Sequence, residues 1–398
     1  MVAIEESKAA AAAAGVSFAL TEEQKELRRL AHAFAEREIR PREAEHDAEQ
    51  RHPAELIAHA HSLGLMNLHV PAEYGGLGLS AFDGMLVGEE INWGCTGIGT
   101  SILANGLGSA PVIIFGSPEQ KVRWLTPLAE QPILCSFALT EPGAGSDVAA
   151  LRATAMRDGN EYVLNGSKTF ITNAGHAQWS VVFAKTDPAG GRRGISAFIV
   201  PMGLPGVTIE KHLEKMGQRA TDTSAFALHD VRVPAENRLG EEGDGFKVAM
   251  ATLDFTRPGT AIGAVAVAQA AYEHALAYSK ERVTFDLPIA MHQAVGFMVA
   301  DMATEIQAAR LLCWQAAWML DQGMGREATL YSSFAKRFAA DTAMKVTTDA
   351  VQVLGGYGYI KEYPVEKLMR DAKLFQIYEG TSQIQRLVIA REIYTPKG

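Results

Sequence analysis

One acidic residue near the end of the chain stands where a catalytic base could be built. Segment 377–383 reads IYEGTSQ, so Glu379 lies between an aromatic residue and a glycine. Gly380 should end one helix, and Ser382 with Gln385 forms a capping-box pattern that begins the next. A carboxylate held on such a turn against apolar groups has a raised pKa, which suits a general base. The same residues also allow an exposed turn acid, stabilised by the dipole of the last helix.

Three further segments carry glycines or charges in patterns typical of ligand-binding loops. In TEPGAGSD, at 140–147, Gly143 and Gly145 would let a flat or phosphorylated ligand approach backbone N–H groups. LGGYG, at 354–358, ends a long helical pattern with three glycines, where one is enough for a C-cap. RVTF, at 282–285, places a cation and an aromatic residue at a helix end. Each segment alone could equally be a polar loop or a plain helix terminus.

Composition and missing motifs exclude several classes of function. The net charge of −9 and the lack of a Lys/Arg run argue against a nucleic-acid or anionic-membrane surface. Three widely spaced cysteines and no metal-ligand spacing argue against a disulfide framework or a metal site. A GxSxG motif, typical of hydrolases, is absent. No run is long and apolar enough for a membrane span, and the first residues resemble neither a signal nor a transit peptide, so we expect a cytoplasmic protein.

The first third of the chain has the pattern of helices. Thr21 with Gln24 and Ser117 with Gln120 are capping boxes, and Pro118 occupies the first helical position of the second. Residues 54–62 predict a shorter helix. We assign residues 1–18 to an N-terminal extension and residues 19–135 to an α-helical domain.

The pattern changes to short strands over residues 136–244. Asn165-Gly166 lies between two β-rich runs, 162–164 and 168–171, and predicts a hairpin turn. More strands are predicted over 180–184, 194–200, 207–209 and 225–233. About 100 residues of short strands favour a compact barrel or sandwich.

Long helices return over residues 245–398. Three are predicted, over 246–283 with an interruption near Pro258, over 291–321 and over 327–354. Shorter helices close at 376 and span 382–392. The expected fold is therefore α+β and multidomain, ending in an antiparallel helical bundle.

Taken together, these stretches resemble the acyl-CoA dehydrogenase family over nearly the whole chain after about residue 18. The resemblance is carried in order by FALTEPGAGSDV (137–148), KTFITNAG (168–175), MGQRATDTS (216–224), DFTRPGTAIGA (254–264), ERVTFDLPIAMHQ (281–293), VQVLGGYGY (351–359) and EYPVEKLMRDAKLFQIYEGTSQIQR (362–386). Segments 63–83 and 94–102 are most similar to the medium-chain branch. The family implies an N-terminal helical domain, a middle β-barrel or sandwich, a C-terminal four-helix bundle and a homotetramer.

The resemblance also implies FAD, bound between the β domain and the bundle. The residues that would line the flavin are Phe137, Leu139, Thr140, Gly145, Ser146, Phe170, Ile171 and Thr172. Phe170 stands where many relatives have tryptophan. From a neighbouring subunit, the dinucleotide would be contacted by Arg282, Thr284, Phe285, His292, Gln293, Gln352, Val353, Gly355 and Gly356. Thr381 and Gln383 would close the site.

By the same resemblance, Glu379 removes the pro-R α-proton of an acyl-CoA while the β-hydrogen leaves as hydride to the flavin, giving a trans-2-enoyl-CoA. The implied substrate-lining residues are Ser146, Asp254, Thr256, Arg257, Tyr378 and Gly380. Two branches of the family carry the base at the position of Thr256, so a threonine there favours straight-chain, short to medium substrates. Asp286 replaces a glycine of many relatives, and Leu103 an acid found in the medium-chain branch.

The resemblance implies that electrons pass to an electron-transfer flavoprotein. Two alternatives stay open: an acyl-CoA oxidase, in which oxygen takes the electrons, and a non-catalytic flavin-binding scaffold. Many such oxidases carry an additional C-terminal domain, which makes this length fit them less well. Retention of Glu379 argues against the scaffold.

Overall fold

A computed structural model of the protein describes residues 18–395, so the predicted N-terminal extension lies almost wholly outside the described residues. The helices are α1 (Glu22–Phe34), α2 (Glu43–Glu49), α3 (Ala54–Ser62), α4 (Ala81–Gly94), α5 (Thr96–Leu103), α6 (Asn105–Phe115), α7 (Pro118–Glu130), α8 (Gly245–Glu281), α9 (Gln293–Asp321), α10 (Gly325–Leu354), α11 (Val365–Phe375) and α12 (Ser382–Tyr394). The strands are β1 (Leu134–Ala138), β2 (Thr154–Asp158), β3 (Glu161–Thr172), β4 (Ala177–Lys185), β5 (Ile195–Pro201), β6 (Val207–His212), β7 (Thr223–Pro234), β8 (Arg238–Leu239), β9 (Val283–Thr284) and β10 (Leu287–Pro288). The order of helices, then strands, then long helices is the one the sequence predicts.

Both predicted N-terminal capping boxes are confirmed. Thr21 Oγ1 accepts a hydrogen bond from Gln24 N at 3.2 Å, and Gln24 Oε1 accepts from Thr21 N at 3.0 Å. Ser117 and Gln120 make the same pair of bonds at 3.2 and 2.9 Å at the start of α7. These caps fix where the helices begin, because each satisfies backbone donors that a helix leaves unpaired.

One apolar helical stretch within the described residues, Thr96–Phe115, would pass a test of length and hydropathy for crossing a membrane. It comprises α5 and α6, and 56% of its most apolar window is buried inside the protein. Helix α6 packs against α8 and β1. A core helix shows the same burial, so length and composition alone are weak grounds for a span.

The middle region is one sheet of eight strands in the order β6-β7-β3-β2-β4-β5-β8, with β1 added parallel to β4. One apolar core lies on one face of this sheet and is built from residues of six strands, β1 to β5 and β7, with Tyr162, Phe198 and Phe226 as its largest members. A second core lies between the sheet and helices α6, α7 and α8. The sheet therefore packs against helices that precede it in the sequence, α6 and α7, and against one that follows it, α8.

The predicted hairpin at Asn165-Gly166 is wrong. Strand β3 runs through both residues, and its pairing with β7 shifts register there, as at a β-bulge. Gly166 has φ +142°, and a Cβ at this position would lie 2.7 Å from Ala153 Cβ. Glycine at this position therefore lets the segment around Ala153 pack closely against strand β3. The actual turn joins β2 to β3 at Gly159, whose φ is +62°.

The C-terminal region is a bundle of three long helices, α8, α9 and α10, with the short α11 and α12 packed on α10. The predicted interruption near Pro258 is absent, since α8 continues unbroken from Gly245 to Glu281. A proline removes one helix hydrogen bond. Packing of α8 against α4, α10 and α11 holds the helix together on both sides of that residue.

Candidate active site

Glu379 lies on the turn between α11 and α12, as the sequence predicts. Its φ is +56° and that of Gly380 is +84°, so two consecutive residues adopt the left-handed conformation. For a residue with a side chain this costs roughly 1–2 kcal/mol. Strain of this kind persists where the surrounding structure holds it, and it concentrates at functional sites. The turn aims the Glu379 side chain at α8, because Thr256 Oγ1 donates to Glu379 Oε2 at 3.1 Å.

The predicted capping box at Ser382 and Gln385 is wrong. Thr381 caps α12, since its Oγ1 accepts from Ile384 N at 3.1 Å. The Gln385 side chain instead donates to the carbonyls of Glu379 and Gly380, at 3.2 and 3.1 Å. This buried glutamine therefore holds the strained peptides themselves. Its role could not be found from local spacing, which predicts a bond to the wrong residue.

The charges around Glu379 set its protonation. Burial raises the pKa of the Glu379 carboxyl, while the Arg257 and Lys336 cations and the Thr256 hydroxyl offset only part of that rise. A carboxylate with a raised pKa is a stronger base than one in water, yet the two cations keep an ionised form accessible. This combination is what general-base catalysis near neutral pH requires.

The residues predicted to line the substrate separate into two groups. Asp254, Thr256 and Arg257 lie on α8 beside the turn, and Arg257 Nη1 donates to Asp254 Oδ1 at 2.5 Å. Arg257 is buried, and its Nε has no hydrogen-bond partner within the described chain, so one buried donor is left unsatisfied beside the turn. Tyr378 packs edge-on against Phe375 beneath the turn. Gly380 belongs to the turn, whereas Ser146 is exposed on the separate 140–147 loop.

Two side chains of α10 contact the turn and were not predicted from the sequence. Lys336 Nζ donates to Gly380 O at 2.6 Å, and Asp341 Oδ1 accepts from Ser382 Oγ at 3.0 Å. The available signal was a lysine flanked by Ala335, Ala339 and Ala340, all of which are buried. A cation on the apolar face of a core helix needs a partner.

The two segments predicted to line the flavin, 137–146 and 170–172, are joined by a backbone hydrogen bond next to the second, from Thr169 N to Thr140 O at 3.0 Å. Phe170 follows directly, with φ +58° and 67% of its surface exposed, so its ring is free to contact a ligand. Gly143 and Gly145 border open space, because an added Cβ at either would have no neighbour within 4 Å. The loop thus offers uncovered backbone beside an aromatic face.

Other residues predicted for this wall are placed differently. Leu139 and Ile171 are buried in the cores on opposite sides of the sheet, so only their backbone can face a cofactor. The Phe137 ring packs against Phe183 with centroids 4.9 Å apart. Thr172 is half-buried at the end of β3.

A buried ion pair fixes the 140–147 loop to the sheet. Lys168 Nζ lies 2.7 Å from Glu141 Oε1 and also donates to Leu139 O at 3.1 Å. Glu141 further accepts from the backbone N–H groups of Arg152 and Ala153, at 2.6 and 3.0 Å. Burial lowers the pKa of Lys168 to about 8, despite the opposing attraction of Glu141. The pair anchors one end of the proposed flavin wall.

The residues predicted to act from a neighbouring subunit gather in a pocket of about 470 Å³. Its lining includes Arg282, Thr284, Val353, Gly355 and Gly356. A Cβ added to either glycine would meet no atom within 4 Å, so the backbone there is open to a ligand. The pocket includes neither the 140–147 loop nor the Glu379 turn, as expected if a second subunit contributes it.

The other residues predicted to contact FAD lie outside the lining of this pocket. Thr284 Oγ1 and His292 Nε2 are 3.1 Å apart, and Phe285 packs edge-on against the His292 ring. Gln293, Gln352 and Gln383 are exposed, and Thr381 serves as the helix cap. Asp286 has φ +63°, a conformation that glycine adopts most easily and that aspartate tolerates better than most residues. A glycine at this position, which the family resemblance implies for many relatives, would adopt the same conformation with less strain.

The donor set fits FAD. A diphosphate is bound by cations and by exposed backbone N–H groups, which Arg282 and the Gly355-Gly356 segment supply. An isoalloxazine ring needs a flat face, which Phe170 and the open 140–147 loop supply. Within the described residues no cluster of three or more His, Cys, Asp or Glu side chains could hold a metal ion.

Comparison with known proteins identifies the family of the chain. Sequence models of the acyl-CoA dehydrogenase N-terminal, middle and C-terminal domains match residues 21–132, 136–231 and 243–394. The chain is 46% identical over 378 residues to a cyclohex-1-ene-1-carbonyl-CoA dehydrogenase of Geobacter metallireducens, covering 95% of this chain and 99% of that protein. It is 44% identical over 381 residues to a probable medium-chain specific acyl-CoA dehydrogenase of Caenorhabditis briggsae, covering 94% and 91%.

A solved structure shows the same fold. The chain superposes on butyryl-CoA dehydrogenase from Megasphaera elsdenii with a TM-score of 0.93 and 42% identity, covering 96% of this chain and all of that one. The protein therefore belongs to the acyl-CoA dehydrogenase family of oxidoreductases, whose cofactor is FAD.

The open glycines permit a test of the predicted FAD pocket. Gly356→Val should leave the protein folded, because space surrounds the new side chain and φ is not positive. It should nevertheless weaken FAD retention by about tenfold or more, since the side chain would occupy ligand space (about 1.4 kcal/mol per tenfold). The flavin-to-protein absorbance ratio after gel filtration measures this. Gly203→Val, at another open glycine, is the control and should keep its FAD. Equal retention in both variants would contradict the assignment.

Proposed function

We propose that this enzyme oxidises an acyl-CoA thioester to a trans-2-enoyl-CoA, with Glu379 as the base that removes the α-proton. One observation carries the proposal. The Glu379 carboxyl is held on a strained turn, beside Thr256 and Arg257, in an environment that raises its pKa. A structural turn acid would have no need of this environment.

In this proposal, protein groups remove the α-proton and stabilise the enolate that forms. The α-C–H of a thioester is too weak an acid for a carboxylate in water, so the developing enolate needs hydrogen bonds at its carbonyl oxygen. The backbone N–H of Glu379 is the proposed protein donor for that oxygen. Exclusion of water from the occupied site would strengthen both interactions. FAD, when bound, accepts the β-hydrogen as a hydride.

The proposed substrates are short to medium straight-chain acyl-CoAs. Thr256 bears no acid that could replace Glu379, which disfavours the branches with a base at that position. Leu103 packs against the apolar core of the N-terminal helices and brings no charge to the region where the medium-chain branch can have an acid. The relatives described above have names that specify medium-chain, butyryl and cyclic acyl groups at similar identity, so identity does not decide between them.

A substrate panel tests this proposal. We expect anaerobic bleaching of the flavin band by straight-chain acyl-CoAs from C4 upward, with the highest kcat/KM in the short to medium range. Cyclohex-1-ene-1-carbonyl-CoA should react more slowly by about tenfold or more, since a rigid ring loses transition-state contacts worth about 1–3 kcal/mol. Preference for the ring would overturn the straight-chain assignment, and no bleaching by any acyl-CoA would favour a flavin-binding scaffold.

The proposed electron acceptor is an electron-transfer flavoprotein, as the family resemblance implies. The alternative is direct reaction with oxygen, as in acyl-CoA oxidases. The enzyme should be reduced anaerobically by substrate and then mixed separately with air and with an electron-transfer flavoprotein. Reoxidation should be fast only with the flavoprotein. Rapid turnover with air alone would make the enzyme an oxidase.

The proposed assembly is a homotetramer. Phe285, Met291 and Phe297, which follow α8, are each at least 60% exposed in the single chain. Exposed apolar residues clustered in one segment mark a protein interface. Light scattering on the purified holoenzyme should therefore give four times the mass of the chain. A monomer would overturn this proposal.

A further inference from the structure

Lys336 is a buried cation directly beneath the catalytic turn. It lies on the inner face of α10 and is 1% exposed. Its Nζ donates to a carbonyl, Gly380 O, at 2.6 Å. Buried lysines are rare in proteins and are retained where a partner needs them. The carbonyl it holds belongs to the residue after Glu379, within the left-handed pair.

The charges around Lys336 come from three elements. Glu379 on the turn and Asp341 on α10 are negative, and Arg257 on α8 is positive. Burial lowers the pKa of Lys336 to about 8, although the two carboxylates oppose this. The amine therefore stays mostly protonated at neutral pH. Its charge in turn opposes the burial effect on the Glu379 carboxyl.

Helix α10 also holds the two ends of the turn. Asp341 Oδ1 accepts from Gln376 Nε2 at 2.9 Å and from Ser382 Oγ at 3.0 Å. Lys336 contacts the middle of the same turn. One helix thus holds the turn at three points, before, within and after the Glu379–Gly380 pair. Of the two charged side chains that make these contacts, only Lys336 supplies a positive charge.

We propose that Lys336 is a positioning residue for Glu379: it holds the Glu379–Gly380 turn through the Gly380 carbonyl and, together with Arg257, supplies positive charge that favours the ionised form of the Glu379 carboxylate. The inference rests on the proposed role of Glu379 as the base. It differs from a purely structural role in one respect. Loss of the charge should change the pH at which the base becomes active, in addition to any change in rate.

The test is Lys336→Met, which nearly preserves shape and removes the charge and the donor. Without the Lys336 cation, the protonated form of Glu379 is favoured, so the acidic limb of the pH profile should move to higher pH. The readout is exchange of the substrate α-proton with D2O in the holoenzyme, which reports proton removal independently of hydride transfer. On the acidic side of the limb, exchange should fall a few-fold relative to the native enzyme, and above the limb it should be near native.

Two variants control the result. Lys336→Arg retains a positive charge and should restore the position of the acidic limb. Lys345→Met makes the same change on an exposed part of α10 and should leave the limb unchanged. An unshifted limb in Lys336→Met overturns the inference, and so does a loss of rate that is equal at every pH. If that variant does not fold, Lys336→Gln takes its place under the same criteria.

The inference and the proposed function fail in different ways. Glu379→Gln should abolish α-proton exchange at all pH values. If that variant still exchanges protons, the base has been assigned wrongly. If it is inactive while Lys336→Met shows the native pH profile, only the role of Lys336 is overturned.

Discussion

Glu379→Gln is expected to lower the rate of flavin reduction by acyl-CoA about 10³-fold, because general-base catalysis contributes roughly 10²–10⁴ and an amide cannot accept the proton. The fold should be unaffected, since glutamine can still accept the hydrogen bond from Thr256. Stopped-flow reduction under anaerobic conditions measures the effect. The native rate should fall as the pH drops through the raised pKa of Glu379, above the ordinary glutamate value of about 4.3.

The matched control is Glu362→Gln, an exposed glutamate in the same C-terminal region. It should reduce the flavin at the native rate. Binding of acyl-CoA and retention of FAD should be near normal in both variants, which separates loss of chemistry from loss of binding. Reduction within a few-fold of native by Glu379→Gln would remove this residue from the mechanism.

Lys168→Met is expected to destabilise the protein by about 3–5 kcal/mol, the usual cost of leaving one member of a buried ion pair unpaired. The Glu141 carboxylate would keep its two backbone donors and lose its only cation within hydrogen-bonding distance in the described chain. Denaturant unfolding followed by tryptophan fluorescence measures the change. Because the pair anchors the 140–147 loop, the variant should also bind FAD more weakly.

An exposed pair in the same sheet provides the control. Arg232 bonds to Asp158 and Glu161 across β7, β2 and β3, and all three side chains are largely exposed. Arg232→Met should cost at most about 1 kcal/mol, since surface ion pairs contribute little. The double variant Lys168→Met/Glu141→Gln should recover part of the loss by removing the unpaired charge. Equal costs at the buried and exposed pairs would show that burial is irrelevant here.

The sequence was informative where structure depends on near neighbours. Thr21 and Ser117 could be identified as caps because each bond joins residues three apart. The hairpin prediction at Asn165-Gly166 is wrong because the strand that decides the conformation of these residues, β7, lies about 60 residues away in the sequence. The contacts of Lys336 and Gln385 with the turn could not be predicted either. A helical pattern indicates which side chains are buried, but it does not indicate which residues they contact.

In the candidate site, too, local features could be predicted from the sequence and long-range contacts could not. Glu379 was placed on its turn by local signals, and the resemblance assigned its chemistry. The pairing of Thr256 with Glu379 joins α8 to a turn more than 120 residues later, so spacing could not reveal it. Leu139 and Ile171 belong to the matching motifs, yet their side chains point into cores. A motif match identifies a segment and leaves open which atoms of it face the ligand.

The Glu379–Gly380 turn also limits how this sequence can change over time. A side chain at 380 would place Cβ 2.6 Å from the Gln385 amide nitrogen, at a φ of +84° that most residues avoid. The glutamine, in turn, is fixed by the two carbonyls that it holds. Positions 379, 380 and 385 are therefore coupled. Most single substitutions at one of them would give a variant in which the turn is disturbed. An acid can therefore be kept at position 379 only if Gly380 and Gln385 are kept with it.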